Sequence, residues 1–277
     1  MLHIEHSPHR LAIYRAGLDA PLLVQNAAPD KRPFIHPILA PDGCGELTEN
    51  EPGHHLWQHG LYVGLNDVNG FGFWTEGLSG NANDGTFHPA PLAAPEVQPN
   101  RVSWPVTTDW RAPDGESLLL ETQNWTLKDH QSTLALDVEW TLSAAQDLRF
   151  GQYAYGGLFL RMPWRRETHG EILTSEGADS VERAEGQQAR WIALAMPSPG
   201  RKNGAAGFGF FDHPANPQHP NPWRVDGNLG ITPSRCIEGA WNLAEGESST
   251  NCYRLIAFVG AINSEFIKAQ WQNFAQN

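Results

Sequence analysis

Two stretches of this chain gather side chains that can move protons. The first, residues 31–74, holds His36, His54, His55 and His59, with Trp57 between the last two. On a strand, His55, Trp57 and His59 share one face because successive side chains alternate. On a helical turn, His55 and His59 meet as an i, i+4 pair. In both geometries two imidazoles converge, which suits proton transfer near neutral pH or a shared divalent metal. No HExxH or facial-triad spacing accompanies them, so no cofactor is expected, and any metal rests on His55 and His59. The second stretch, 208–223, reads FGFFDHPANPQHPNPW and carries Asp212, His213, His219 and Trp223. Its prolines restrict themselves and their predecessors, so the loop's shape is preset to hold polar groups in place. The plain alternatives are a solvated His-rich loop ahead of a strand, and an Asp212 that only closes its own turn.

Period-two alternation dominates the elements that must position these groups. Leu134, Leu136, Val138, Trp140 and Leu142 alternate with Ala135, Asp137, Glu139 and Thr141, as in an antiparallel strand with one buried face. Val102, Trp104 and Val106 alternate likewise, with Pro105 pointing to an edge or a bulge. Runs 118–127, 148–160, 190–196, 204–211 and 253–259 also read as strands, separated by turn signals such as Pro113-Asp114-Gly115. One helix is expected at 264–275, with Ser264 as N-cap and a stripe of Phe266, Ile267, Gln270, Trp271 and Phe274. No repeat or linker divides the chain, which reads as one all-β domain over 1–277: a large two-sheet antiparallel β-sandwich with a short C-terminal helix.

Composition agrees. The 27 Gly and 21 Pro indicate many turns, and 11 Trp with 12 Phe supply a large core. A net charge of −12 argues against a phosphate-backbone partner, so nucleic acid is not expected. Cys44, Cys236 and Cys252 are odd in number and lack CxxC spacing, indicating neither a disulfide framework nor a zinc site. No apolar run approaches the roughly 18 residues of a membrane span, and the N-terminus has no signal-peptide pattern. A cytoplasmic, bacterial protein is expected. Oligomeric state is not legible.

His55-Leu56-Trp57-Gln58-His59-Gly60-Leu61 resembles the DHPWHHGL motif of the bacterial PmoA-like family, named after a methane oxygenase. Residues 32–37 (RPFIHP), 67–70 with 73–74 (DVNG, FW), 155–158 with Arg161 (YGGL, R) and 212–223 are similar to further motifs of that family. The resemblance runs in order over about residues 31 to 260, with His54 standing where the family has Asp and Gln58 where it often has His. The methane-oxygenase activity is excluded, because that membrane subunit needs apolar spans this chain lacks. The resemblance implies instead a galactose-mutarotase-like supersandwich associated with carbohydrate catabolism.

A small-molecule carbohydrate is therefore the expected partner. Trp and Tyr stack on the apolar faces of sugar rings, while Asp, Arg and His bond the hydroxyls. The expected activity acts on a sugar or oxidised sugar derivative by His-based acid/base chemistry: lyase, glycosidic-bond cleavage or epimerisation. His55 and His59 serve as base and acid, with Tyr155 and Asp212 assisting. His36, Trp57, Arg161, His213, His219 and Trp223 contact substrate, Arg161 holding a carboxylate, phosphate or oxyanion. The alternatives are a non-catalytic sugar-binding or regulatory module, or an accessory subunit of a sugar oxidoreductase.

Overall fold

Alternating burial along the long strands is what builds the core. The computed structural model describes residues 1–165, 167 and 170–276. Among these, two antiparallel sheets of 11 and 9 strands face one another. The main path of the first runs Leu2–Ser7, Arg10–Arg15, Leu23–Asn26, Phe34–Ile38, Leu61–Val68, Gly157–Arg161, Gly230–Pro233 and Trp223–Val225. That of the second runs Glu171–Thr174, Trp191–Met196, Ala206–Asp212, Ser248–Val259, Leu134–Ala144, Ser117–Asp129, Arg101–Arg111 and Thr86–Pro89. The two-sheet antiparallel sandwich expected from the pattern is what the chain forms.

Trp104, Trp110, Trp125 and Trp140 project between the sheets and are buried. An indole must find an acceptor when buried, and here the acceptors lie inside the core. Trp110 and Trp140 donate to the Glu121 carboxyl at 3.0 and 2.8 Å, Trp125 donates to Gln123 at 2.9 Å, and Trp104 donates to Gln25 of the opposing sheet at 3.1 Å. Burial pushes the Glu121 carboxyl above its ordinary range. Pro105 sits where the short strands Thr86–Pro89 and Glu96–Gln98 leave a gap beside Arg101–Arg111, so its missing N–H opposes no ladder acceptor.

The helix Ser264–Phe274 packs Ile267 and Phe274 on the outer face of the second sheet, against Trp191, Phe211 and Ile256. Covered on both faces, Trp191–Met196 and Ala206–Asp212 are buried throughout and lose the alternation seen elsewhere. The helix cap is Asn263, whose side chain accepts from Phe266 N, one residue before the expected Ser264. The run 148–160 is also not one strand. It divides into Leu148–Phe150 and Gly157–Arg161 with residues 151–156 between them, and Gly156 and Gly157 take φ 151° and 130° where the chain re-enters the sheet. A Cβ at Gly157 would lie 2.7 Å from the Pro233 carbonyl, so glycine is required for the neighbouring strand to approach. Tyr155 is thereby freed from the ladder.

No helix among the described residues is long and apolar enough to cross a membrane.

Candidate functional site

Four adjacent strands of the first sheet, Leu61–Val68, Gly157–Arg161, Gly230–Pro233 and Trp223–Val225, end beneath the turn at residues 51–58. That turn is neither strand nor helix. It is tied by Glu51 N to Gln58 O (2.7 Å), His55 N to Pro52 O (2.7 Å) and Gln58 N to His55 O (3.1 Å). Gly60 then takes φ 77°, and a Cβ there would meet the Ile35 carbonyl at 2.7 Å, so the chain re-enters the sheet only with glycine.

Between this turn and the strand ends lies a cleft of about 240 Å³. His55, Trp57 and Gln58 form one wall; Trp74, Tyr155 and Phe159 form an aromatic floor; Arg224, Asp226 and Asn228 close the other side. Trp74 and Tyr155 pack with ring centroids 4.7 Å apart, and His55 stands edge-on to Trp57 at 5.3 Å. A second hollow of about 370 Å³, bordered by Glu49, His54, Trp164 and Arg165, adjoins the first through Asn228. Three buried polar atoms of the turn, His55 Nδ1, Trp57 Nε1 and Gln58 Oε1, have no hydrogen-bond partner within the protein. Unpaired buried polar atoms are costly, and this short turn carries three of them.

The electrostatics of the cleft are specific. Burial, then the neighbouring His54, pulls the His55 imidazole below its ordinary value, favouring the neutral ring. Burial, with the Tyr153 hydroxyl beside it, pushes the Tyr155 phenol up to about 12 and keeps it protonated. Arg224 is ion-paired with Glu185, whose other oxygen accepts from Val225 N at 2.5 Å. Asp226 accepts from Asn228 N and Gly230 N at 2.8 and 2.9 Å.

His59 does not share the cleft with His55. It is buried, with Nδ1 bonded to Asn50 at 2.8 Å and Nε2 to Glu76 at 2.7 Å. Glu76 also pairs with Arg32 at 3.2 Å, and Arg32 donates to the Trp57 and Trp74 carbonyls. The expected His55–His59 pair is therefore replaced by one part-exposed imidazole lining the cleft and one embedded imidazole, and both nitrogens of His59 are occupied. His36 is bonded to Thr48 at 3.0 Å behind His59; burial, then His59, lowers it to about 4. Among the described residues no group of three or more His, Cys, Asp or Glu is placed to hold a metal.

Arg161 is wholly buried under the turn. It bonds His54 Nε2 at 3.0 Å and lies 3.5 Å from Glu49 and 3.6 Å from Asp226. It supports the cleft from behind.

The 208–223 loop forms a separate structure on the second sheet. Asp212 is fully buried and accepts from Asn216 (2.7 Å), Asn221 N (2.9 Å) and His219 (2.9 Å). His219 stacks over Trp271, His213 packs edge-on against Phe274, and Trp223 donates to Ala189 O at 2.7 Å. None of Asp212, His213, His219 and Trp223 lines the cleft. The loop crosses from one sheet to the other and delivers the next residues, Arg224 and Asp226, to it.

Sequence reasoning missed Arg224, Asp226, Trp74 and the Glu76 link. A signal for the first two exists: Arg224 and Asp226 are two apart after a strand-like Trp223, hence on one face, and Asp226-Gly227-Asn228 is a turn.

A model of a family of unknown function, DUF6807, matches residues 4–272. The chain belongs to the DUF6807 family. That model assigns no activity and does not carry the PmoA-like designation that the motifs resemble. No curated protein matches this DUF6807 chain. Among solved structures it is similar to a galactose mutarotase related enzyme from Lactobacillus acidophilus, at 9% identity and TM-score 0.37, over 95% of this chain and 99% of the other. It is also similar to a GH36 α-galactosidase from Geobacillus stearothermophilus, at 11% identity and TM-score 0.43, over 93% of this chain but 41% of the other. Scores of this size leave the fold of the DUF6807 chain resting on its own two sheets.

Proposed function

We propose that the cleft binds a carbohydrate and that His55 performs acid/base chemistry on it. One observation carries this reading. Trp57, Trp74 and Tyr155 line a single open cleft together with His55, Arg224, Asp226 and Asn228. A sugar ring presents that combination in reverse, with apolar C–H faces for stacking and hydroxyls for the polar atoms.

The roles follow from protonation. A neutral His55 accepts a proton from carbon or hydroxyl beside a carbonyl or hemiacetal; a protonated Tyr155 donates a hydrogen bond or proton on the other side. Asp226 orients the ring through its hydroxyls. Proton abstraction of this kind serves elimination, epimerisation or glycosidic-bond cleavage. His59 is a positioning residue, acting through Glu76 and Arg32 on the turn that carries Trp57. Asp212, His213, His219 and Trp223 shape the loop that presents Arg224 and Asp226.

The test is a saccharide screen followed by His55→Ala. Turnover of a carbohydrate by the wild type, lost in the variant with the fold retained, supports the reading. Full activity of the variant refutes it. Saturable binding with no product under any condition reassigns the cleft to a binding module.

A further inference from the structure

We infer that the ligand is a glycoside of at least two linked units, one lying in the cleft against Trp74 and Tyr155 and the next in the adjoining hollow against Trp164. The inference rests on the carbohydrate reading above and narrows it to a substrate class.

The cleft and the hollow are neighbours along one short stretch of the turn. They share Asn228, and the adjacent residues His54 and His55 divide between them, His54 lining the hollow and His55 the cleft, with ring centroids 4.9 Å apart. At about 240 Å³ the cleft alone falls below the roughly 300–1,000 Å³ of small-molecule pockets. Joined to the hollow of about 370 Å³, it lies within that range. Asn228 stands at the junction, half-buried and held through its backbone N–H to Asp226 at 2.8 Å. An amide side chain both donates and accepts, which suits the oxygens around a glycosidic link.

The two spaces also repeat one chemistry. In the cleft, Trp74 and Tyr155 are joined by His55, Arg224 and Asp226; in the hollow, Trp164 is joined by His54, Arg165 and Glu49. Trp164 is half-buried and packs against the sandwich core, so it is a fixed platform. The polar groups beside it are held as well. The Glu49 side chain is 11% exposed and pairs with Arg165 at 2.5 Å, and His54 Nε2 accepts from Arg161 at 3.0 Å. Aromatic faces take the apolar side of a sugar ring while fixed carboxylate, guanidinium and imidazole groups bond its hydroxyls. Two adjoining spaces of the same makeup therefore suit a ligand that repeats its own unit. The link between its units then passes His55 and Asn228.

The experiment measures binding to the intact protein by calorimetry. The probes are methyl glycosides of glucose, galactose, mannose and galacturonate, each beside its α- and β-linked homodisaccharides. For the unit that binds, a disaccharide should bind at least about tenfold more tightly than the methyl glycoside. Trp164→Leu keeps an apolar side chain against the core and removes the broad ring. It should erase most of that gain and leave the methyl glycoside within about twofold of its wild-type affinity. Tyr153→Ala is the control, because Tyr153 is 39% exposed with its ring centroid 4.9 Å from Tyr155, yet lines neither space. The gain should survive it. Disaccharides that bind no more tightly than methyl glycosides overturn the inference and leave the carbohydrate reading standing, and that comparison needs no variant. A gain that persists in folded Trp164→Leu, or that is lost in Tyr153→Ala, overturns it too. Binding of no probe instead overturns the carbohydrate reading and the inference with it.

Discussion

Glu76 Oε2 lies 2.7 Å from His59 Nε2, and this contact embeds the second histidine of the HLWQHGL motif in the scaffold. Glu76 is part-buried and joins His59 to Arg32, whose guanidinium lies 4.1 Å from the Tyr62 ring centroid and donates to the Trp57 carbonyl. The link fastens the turn at residues 51–58 to the first sheet.

Breaking it should destabilise the fold. Glu76→Ala leaves Arg32 and His59 buried without their anion, at a cost of about 3–5 kcal/mol, read by urea denaturation. His59→Ala should likewise lower the denaturation midpoint, where a purely catalytic histidine would leave it unmoved. The same link sets an acid limit. Burial pushes the Glu76 carboxyl up, but Arg32 and the His59 hydrogen bond outweigh it and hold it at about 2, below its ordinary 4.5. Its contribution is present above pH 4.5 and is lost as pH falls from there towards 2. Glu76→Gln should flatten the stability curve in that window.

His36 acts at milder acidity. Burial, reinforced by His59, lowers it from 6.5 to about 4, so the folded state resists a proton that the unfolded chain accepts. Stability should fall as pH drops from 6.5 to 4. His36→Asn should remove that slope; an unchanged slope would show that the imidazole is not the group responsible.

Asp212→Ala should unfasten the proline-rich loop. It strips the acceptor from Asn216, His219 and Asn221 at a fully buried position, costing about 3 kcal/mol or more. Limited proteolysis should cut within 213–222. Ligand affinity should fall as well, because Arg224 and Asp226 follow the loop.

His55→Ala should leave the denaturation midpoint within about 1 kcal/mol of wild type, since its ring is part-exposed and Nδ1 bonds nothing. Turnover should drop about 10²-fold or more. In the wild type, kcat/KM should rise with pH through an inflection below 6.5, because burial and His54 favour the neutral base. An inflection above 6.5 would assign the base elsewhere.

Much of the architecture was legible in the residues because it depends on local periodicity. Leu134 to Leu142 alternates since one face of its sheet meets the other sheet, and Pro105 falls where a ladder partner is missing. The run 148–160 misled because apolar residues at its two ends, Leu148 and Phe150 on one side and Leu158 to Leu160 on the other, mask the break at residues 151–156. His55, Trp57 and Tyr155 were legible as cleft residues by type. Arg224 and Asp226 were overshadowed by the richer Asp212-His213-Pro214 block beside them.

The sequence by itself determined an antiparallel two-sheet sandwich, an aromatic core and an inventory of acids and bases, since alternation and composition are properties of neighbours along the chain. Which groups line the cleft depends on packing between segments distant in the chain, and only the tertiary structure decides it. His55 and His59 are the same residue type four positions apart, yet one meets the cleft and the other meets Glu76, seventeen positions further on. Asp212 and Asp226 divide in the same way, one consumed by its own loop and one bordering the cleft. The physical reason is that a polar side chain is free for chemistry only when no partner within the protein satisfies it, and partners distant in sequence are chosen by packing.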